Sequence, residues 1–259
     1  MISSLRVAFS VFYITSNIHS KLFIFFVLLH AFIRKFFPLK PRSFDISIRF
    51  GGNILFFNIR GIADLAALYE VFVKKEYEFE TLSEVRVIVD LGANIGDTAV
   101  YFASMYPNAR VYAIEADPAI FEVLKMNTLS VKNITPVFGA ISSYTGSLDF
   151  FVNASSLSGS VFERNGTSKK VSVPCFSLKD FMNRQGVSMV DIIKFDIEGG
   201  EYEFFDSSMN DIQKSRLLIG EVHPDIAGRA GDDIVKKLNG FHVIKTPTHG
   251  ERFIITAKK

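Results

Sequence analysis

Asp90, Gly92, Asn94, Gly96, Asp97 and Thr98 follow directly on a run of β-branched residues, VRVIV at 85–89. Glycines where a strand gives way to a helix let backbone approach a ligand closely and permit positive φ. Downstream, at the end of the next such run (ARVYAIEA), Glu115 is placed where a carboxylate can accept hydrogen bonds from two ribose hydroxyls. The combination points to a nucleoside cofactor, for which two chemistries compete. A dinucleotide asks for G-x-G-x-x-G and brings a pyrophosphate. This loop instead reads G-A-N-I-G and opens on the carboxylate of Asp90, which repels phosphate. S-adenosylmethionine carries a sulfonium and an ammonium group and no phosphate, so a carboxylate at the strand end suits it.

A second group of chemically capable residues sits in MVDIIKFDIEGGEYEFF and IGEVHPD, which carry Lys194, Asp196, Glu198, Glu221 and His223. Charges are costly in a buried strand. Alternation places Lys194, Asp196 and, if the strand continues, Glu198 on one side. Transfer of a methyl group to an alcohol needs an aligned acceptor oxygen and a base for its proton. Asp196 and His223 are the candidate bases, with Glu198 and Glu221 as orienting groups and Lys194 as a positive charge for a developing alkoxide. An ion pair from Lys194 to Asp196 or Glu198 is the plainer reading of the same charges. Asp196, Glu198 and Glu221 are also hard ligands suited to Mg²⁺ or Ca²⁺, but Lys194 on the same side opposes a cation and no compact loop motif is present, so no metal is expected.

The elements that must position these residues alternate. From Arg86 onward, short Val/Ile-rich runs exchange with helix-length stretches, the pattern of a parallel sheet covered on both faces. Helices are expected over 96–106, 118–130, 178–185 and 232–238, with another after Gly200, and a third strand, ITPVFGAI, ending near Ile141. GSLDFFV and KKVSVPCF interrupt the rhythm as an inserted antiparallel pair. FHVIKT and RFIITA are joined by a turn too short for a crossover helix and should pair antiparallel. Upstream, ISIRFGGNILFFNIR reads as a hairpin and DLAALYEVFVKKEY as a helix burying Leu65, Leu68, Val71 and Phe72. Three segments result: 1–42, 43–84 as a cap on the sheet, and 85–259.

The first segment differs in composition from the rest. The 259 residues include 29 basic and 27 acidic ones, yet the first acid is Asp45, after Arg6, Lys21, Arg34, Lys35, Lys40 and Arg42. So small a net charge leaves no footprint for nucleic acid. The apolar runs 7–14 and 22–33 are each shorter than the ~20 residues that span a bilayer, and Ser16, Asn17, His19, Ser20 and Lys21 separate them. Two readings stand: a helical segment lying on a membrane surface, with its basic residues facing anionic head groups, or a helix packed on the enzyme's own surface or a partner. A single cysteine, Cys175, fits a reducing, cytoplasmic setting.

VIVDLGANIGDTAVYFA, YAIEADP, VDIIKFDIEGGEYEFF and IGEVHPD together resemble the FkbM family of S-adenosylmethionine-dependent methyltransferases, from about Asp64 to the C-terminus. The resemblance implies an α/β, Rossmann-like methyltransferase fold: a mostly parallel seven-stranded sheet with an antiparallel last strand and helices on both faces. It further implies a cofactor loop of Asp90, Gly92, Asn94 and Gly96 with Asp97 and Thr98 nearby, a ribose held by Glu115 and flanked by Ala116 and Asp117, and adenine bordered by Gly139 and Ala140. Tyr77 matches a family position as well, and packing explains it equally. Asp196 stands at the cofactor edge. The expected activity is O-methylation of a hydroxyl on a saccharide, glycolipid or small natural product. The Ser/Gly-rich stretch Ser155–Gly166, with Ser158, Ser160 and Arg164 and followed by Lys169 and Lys170, is placed to overhang the acceptor. The alternatives are an NAD-dependent dehydrogenase and a membrane-tethered module that binds the cofactor without turnover.

Overall fold

The computed structural model describes residues 2–33, 43–153, 168–224, 229, 231–248 and 250–259. Arg34, Lys35, Lys40, Arg42 and the stretch holding Ser158, Ser160 and Arg164 lie outside the described residues. The chain begins with α1 (Ile2–Ile14) and α2 (Ile18–Ile33), then the hairpin β1 (Phe44–Phe50) and β2 (Asn53–Ile59), and α3 (Ile62–Phe72). It continues through β3 (Val87–Leu91), α4 (Asp97–Met105), β4 (Arg110–Glu115), α5 (Pro118–Thr128) and β5 (Ile134–Phe138). The insertion is β6 (Ala140–Ile141), β7 (Gly146–Asn153) and β8 (Ser168–Phe176). There follow α6 (Leu178–Arg184), β9 (Ile192–Phe195), α7 (Glu201–Ile212), β10 (Leu217–Val222), α8 (Asp232–Lys237), β11 (His242–Pro247) and β12 (Phe253–Lys258).

The central sheet has seven strands in the order β11-β12-β10-β9-β3-β4-β5. β10, β9, β3, β4 and β5 are parallel, and β12 runs antiparallel to β10 and to β11. This is the Rossmann-like arrangement expected, with the terminal hairpin paired as read. Strand order reverses at β3, where β4 lies on one side and β9 on the other, so ligand space opens beyond the carboxyl ends of these strands.

The period-2 alternation sorts the strands into two apolar layers. Ile88, Val111, Ile192 and Ile219 pack toward α3, α4 and α5. Val89, Ile114, Ile193 and Leu218 pack toward α6, α7 and α8. Two strands end earlier than their sequences suggested. The third breaks at Gly139, whose φ of 143° takes the chain out of the sheet, and Ala140–Ile141 then pairs in parallel with β8. The fourth ends at Phe195, and Glu198 adopts φ 52°, so Glu198 does not continue the alternation of Lys194 and Asp196.

The N-terminal helices have one face on the body. Ala8, Val11, Ile24 and Val27 belong to the same buried cluster as Leu65, Leu68 and Phe102. The polar residues between the two apolar runs form a corner pinned to β1. Asn17 Nδ2 donates to Ser47 Oγ at 2.7 Å, Ser47 N donates to Ser20 Oγ at 2.8 Å, and Ser16 N donates to Ser47 O at 2.8 Å. Because α2 shares the enzyme's core, Ile24→Ala should lower global stability by about 2–5 kcal/mol in urea unfolding. An unchanged midpoint would mean that the helix does not pack there in solution.

Candidate functional site

The site begins with strand register. Asp90 on β3 lies directly beside Lys194 on β9. Both side chains are buried and their atoms meet at 3.1 Å, Lys194 Nζ to Asp90 Oδ1. The second carboxylate oxygen of Asp90 accepts from Thr98 Oγ1 at 2.5 Å, and Lys194 Nζ also donates to Gly92 O at 2.8 Å. Burial pulls the Lys194 ammonium down, but Asp90, Asp196 and Asp97 outweigh it and hold its pKa above the usual value. Lys194 therefore pairs with Asp90, not with Asp196 or Glu198, and its charge does not stand on the rim for an alkoxide. The side chain of Asp90 is equally committed. It is fully buried beneath the loop, where it helps to hold the turn.

That turn runs against the exit of β9. A Cβ on Gly92, at φ 71°, would lie 1.9 Å from the carbonyl oxygen of Asp196, so only glycine fits both the angle and the approach. Gly96 at φ 90° leads into α4. Asp97, in the first turn of α4, is buried, and burial raises its carboxyl to about 7 against the opposing pull of Lys194. Thr98 is occupied with Asp90, and Asp117 caps α5 by accepting from Ala119 N and Ile120 N.

Above the loop is an open-mouthed cavity. Gly92, Asn94, Glu115, Ala116, Gly139, Ala140, Asp196 and Glu198 line it, among the residues expected from sequence. Gly96, Asp97, Thr98, Asp117 and Tyr77 support it without lining it. Sequence reading missed its apolar wall, in which Ile120, Ile141 and Phe150 come from α5, β6 and β7. Both oxygens of Glu115 are oriented by backbone. Asn94 N donates to Oε2 at 2.9 Å and Asp117 N to Oε1 at 2.7 Å, while burial raises the carboxyl to about 7.

At the far edge His223, after β10, is surrounded by carboxylates. Its Nδ1 meets Glu201 Oε1 at 3.0 Å, and Nε2 is 3.3 Å from Glu221, 3.5 Å from Glu198 and 3.9 Å from Asp196. Glu201, in the first turn of α7, is fully buried and accepts from Gly199 N and Ile197 N. Its N-terminal helical position was visible in the sequence; its contact with His223 was not. Burial lowers the imidazole pKa, but the hydrogen bond to Glu201 and the negative charge of Glu201, Glu221 and Asp196 raise it to about 11. Glu221 is penalised by burial, yet His223, Thr248 and Arg252 hold it at about 2.

Burial, with Glu198 and Glu221 nearby, lifts Asp196 to about 6 against the pull of Lys194 and His223. Tyr77 Oη donates to Asp196 Oδ2 at 3.5 Å, whereas Oδ1 has no hydrogen-bond partner among the described residues. Asp196, Glu221 and His223 bring ligand atoms within 4.8 Å of one another, a separation one cation can bridge.

Comparison with known proteins adds a family. The model of the methyltransferase FkbM domain matches residues 90–245. Methyltransferase sdnD of Sordaria araneosa is 28% identical, over 52% of this chain and 64% of that protein. Hexuronic acid methyltransferase AglP of Haloferax volcanii is 26% identical, over 62% of this chain and 64% of that protein. The 2-O-methyltransferase NoeI of Sinorhizobium fredii is 26% identical, over 52% of this chain and 62% of that protein. The chain thus spans less than two thirds of the length of each of these relatives.

The Asp90–Lys194 pair makes a stability prediction. Lys194→Met should cost about 3–5 kcal/mol, because it strands a buried carboxylate, and adding Asp90→Asn should recover part of that loss. Chemical denaturation of the two single variants and the double variant measures the coupling. Strict additivity would show that the two groups do not meet.

Proposed function

The chain belongs to the methyltransferase FkbM family, and on that premise we propose that it is an S-adenosylmethionine-dependent methyltransferase whose acceptor is a hydroxyl on a saccharide, glycolipid or small natural product. The observation that carries this reading is the charge of the cavity. Glu115, Asp196 and Glu198 line it, and no lysine or arginine does so among the described residues. Such a site favours a cationic nucleoside and opposes a pyrophosphate. The NAD-dependent alternative therefore finds no support here. The binding module without turnover likewise finds no support in the family match.

The residues fit the cofactor in parts. Glu115, fixed by two backbone N–H groups, is placed to accept from ribose hydroxyls. Ile120, Ile141 and Phe150 offer an apolar wall for a purine, and Gly92 allows the chain to pass close to the ligand. S-adenosylmethionine, when bound, supplies a methyl group activated by its sulfonium. Asp196 is the proton acceptor for the attacking hydroxyl. It is ionised at neutral pH yet more basic than an ordinary carboxylate, and its side chain is partly exposed where it lines the cavity. In this reading Asp196 rather than His223 takes the proton, the imidazole being raised to about 11 by the carboxylates around it. Held by Glu201, it keeps a positive charge against Asp196, Glu198 and Glu221 and steadies that cluster. Tyr77 orients the other oxygen of Asp196.

The names of two relatives, a hexuronic acid methyltransferase and a 2-O-methyltransferase, support a saccharide acceptor and transfer to oxygen. Under this reading the partners are that acceptor and, through residues 1–42, a membrane surface. The site carries no basic groove for nucleic acid among the described residues.

Calorimetry should show S-adenosylmethionine binding and no NAD binding, with Glu115→Gln weakening affinity about tenfold or more. Asp196→Asn should leave binding in place and cut methyl transfer to a saccharide panel about 10²–10⁴-fold. With the wild type, turnover should rise as pH increases through about 6, because the protonated form of Asp196 cannot accept the hydroxyl proton. NAD binding, or full turnover in the Asn variant, would overturn the assignment.

A further inference from the structure

The N-terminal helices are apolar on two sides, and only one side is used by the fold. Ala8, Val11, Ile24 and Val27 are buried against the body, while Phe9 and Tyr13 on α1 and Phe25 on α2 are 63%, 75% and 60% exposed. Leu22 and Phe26 are exposed beside Phe25. The hairpin extends this surface. Phe56 is directly opposite Ser47 in the β1–β2 register and therefore on the face where Ser47 meets Ser16, Asn17 and Ser20. It is 65% exposed. Aromatic and leucine side chains thus surround the corner between α1 and α2 on the side turned away from the enzyme. Isolated exposed apolar residues need no explanation, but six of them, five aromatic, on elements packed against one another mark a candidate interaction surface.

We propose that α1, α2 and the outer face of the β1–β2 hairpin form a docking surface for an anionic membrane leaflet, on which the helices lie in the head-group plane. This goes beyond the reading of the site and does not depend on it. Charge selects the occupant. The chain up to residue 44 carries six basic residues and no acidic one, whereas the remainder has more acids than bases. Of the described cations, Arg6 is exposed on α1, and Lys21 on α2 sits with its Nζ 4.9 Å from the ring of Phe12. Arg49 is exposed on the outer face of the hairpin, where it donates to Ser16 O. On the hairpin the exposed acid Asp45 shares this face and accepts from Asn58 Nδ2 at 2.7 Å, while the helices carry no acid. Exposed aromatics interleaved with cations are the composition of an interfacial helix, in which each cation near an anionic surface raises binding about fivefold.

Geometry selects how the surface is used. Among the described residues no helix is long and apolar enough to cross a membrane. The corner residues Ser16, Asn17 and Ser20 are hydrogen-bonded to β1, so insertion of α1 and α2 as a spanning hairpin would break those bonds and empty the core of Ala8, Val11, Ile24 and Val27. Docking flat keeps both. It leaves the inner face in the core and gives the outer aromatics a depth in the interface where their rings are favourable.

The chain contains no tryptophan, so a single Phe25→Trp substitution reports on this face without background. The full chain carrying it should float with vesicles of phosphatidylcholine plus phosphatidylglycerol, far less with phosphatidylcholine alone, and its emission should shift to shorter wavelength on binding. Phe9→Ser with Phe56→Ser, both exposed positions, should leave the unfolding midpoint nearly unchanged and lower vesicle partitioning about tenfold or more. Absence of flotation and of a spectral shift with anionic vesicles would overturn the proposal. So would partitioning unaffected by the two serines, or a stable dimer in sedimentation whose tryptophan emission is already shifted without lipid, since the face would then belong to a second copy.

Discussion

The buried ion pair between Asp90 and Lys194 is the constraint on which the site is built. It joins β3, where strand order reverses, to its neighbour β9, and it lies just beneath the turn that leads into the cavity. A pair so deeply buried gains little net stability over apolar residues of the same volume. Its value is positional. Lys194 also holds the Gly92 carbonyl and Asp90 holds Thr98 at the start of α4, so the turn, the helix that follows it and the exit of β9 are tied at one point. Gly92 can pass Asp196 only because it has no Cβ, and Asp196 N returns a hydrogen bond to Leu91 O at 3.0 Å. The residue proposed to take the proton is therefore fixed through backbone to the loop proposed to hold the cofactor.

The electrostatics of the rim follow from an excess of carboxylates with one cation in their midst. Glu201 is held by backbone N–H groups and in turn holds His223. The protonated ring then faces Asp196, Glu198 and Glu221, whose mutual repulsion would otherwise favour proton uptake. Glu221, gripped by Thr248 and Arg252, stays strongly acidic, while Asp196 rises. Neighbouring carboxylates are thereby set apart in basicity, the division of labour that acid–base chemistry needs.

Much of this was legible in the sequence, and what was not shares a cause. Periodicity placed β3, β4, β10 and the terminal hairpin, and the glycine loop with Glu115 located the cavity, because those signals are local. The pairing of Asp90 with Lys194 depends on which strands are neighbours, which spacing along the chain does not reveal, so the partner expected for Lys194 was Asp196 or Glu198 rather than Asp90. The contact of Glu201 with His223 likewise joins α7 to the end of β10, which local spacing does not show. Phe150 enters the cavity from an insertion whose strands pair only with each other, and Gly139 breaks a strand that composition would continue to Ile141. The overhang involving Ser158, Ser160 and Arg164 stays an expectation, since those residues lie outside the described part of the chain.

The N-terminal segment shows how one sequence signal can support two readings at once. Apolar residues all around a short helix were compatible with a membrane surface or with packing on the enzyme, and the two were posed as alternatives. The fold shows the packing and leaves an exposed outer stripe that the proposed docking uses. The inner stripe of α1 and α2 merges with the core beneath α3 and α4, which fixes the outer stripe rigidly relative to the sheet. A flexible tether would bring an enzyme near a surface in any orientation. A surface built into the core sets one orientation of the cavity with respect to whatever it docks on, so that attachment and the presentation of an acceptor become a single geometric problem.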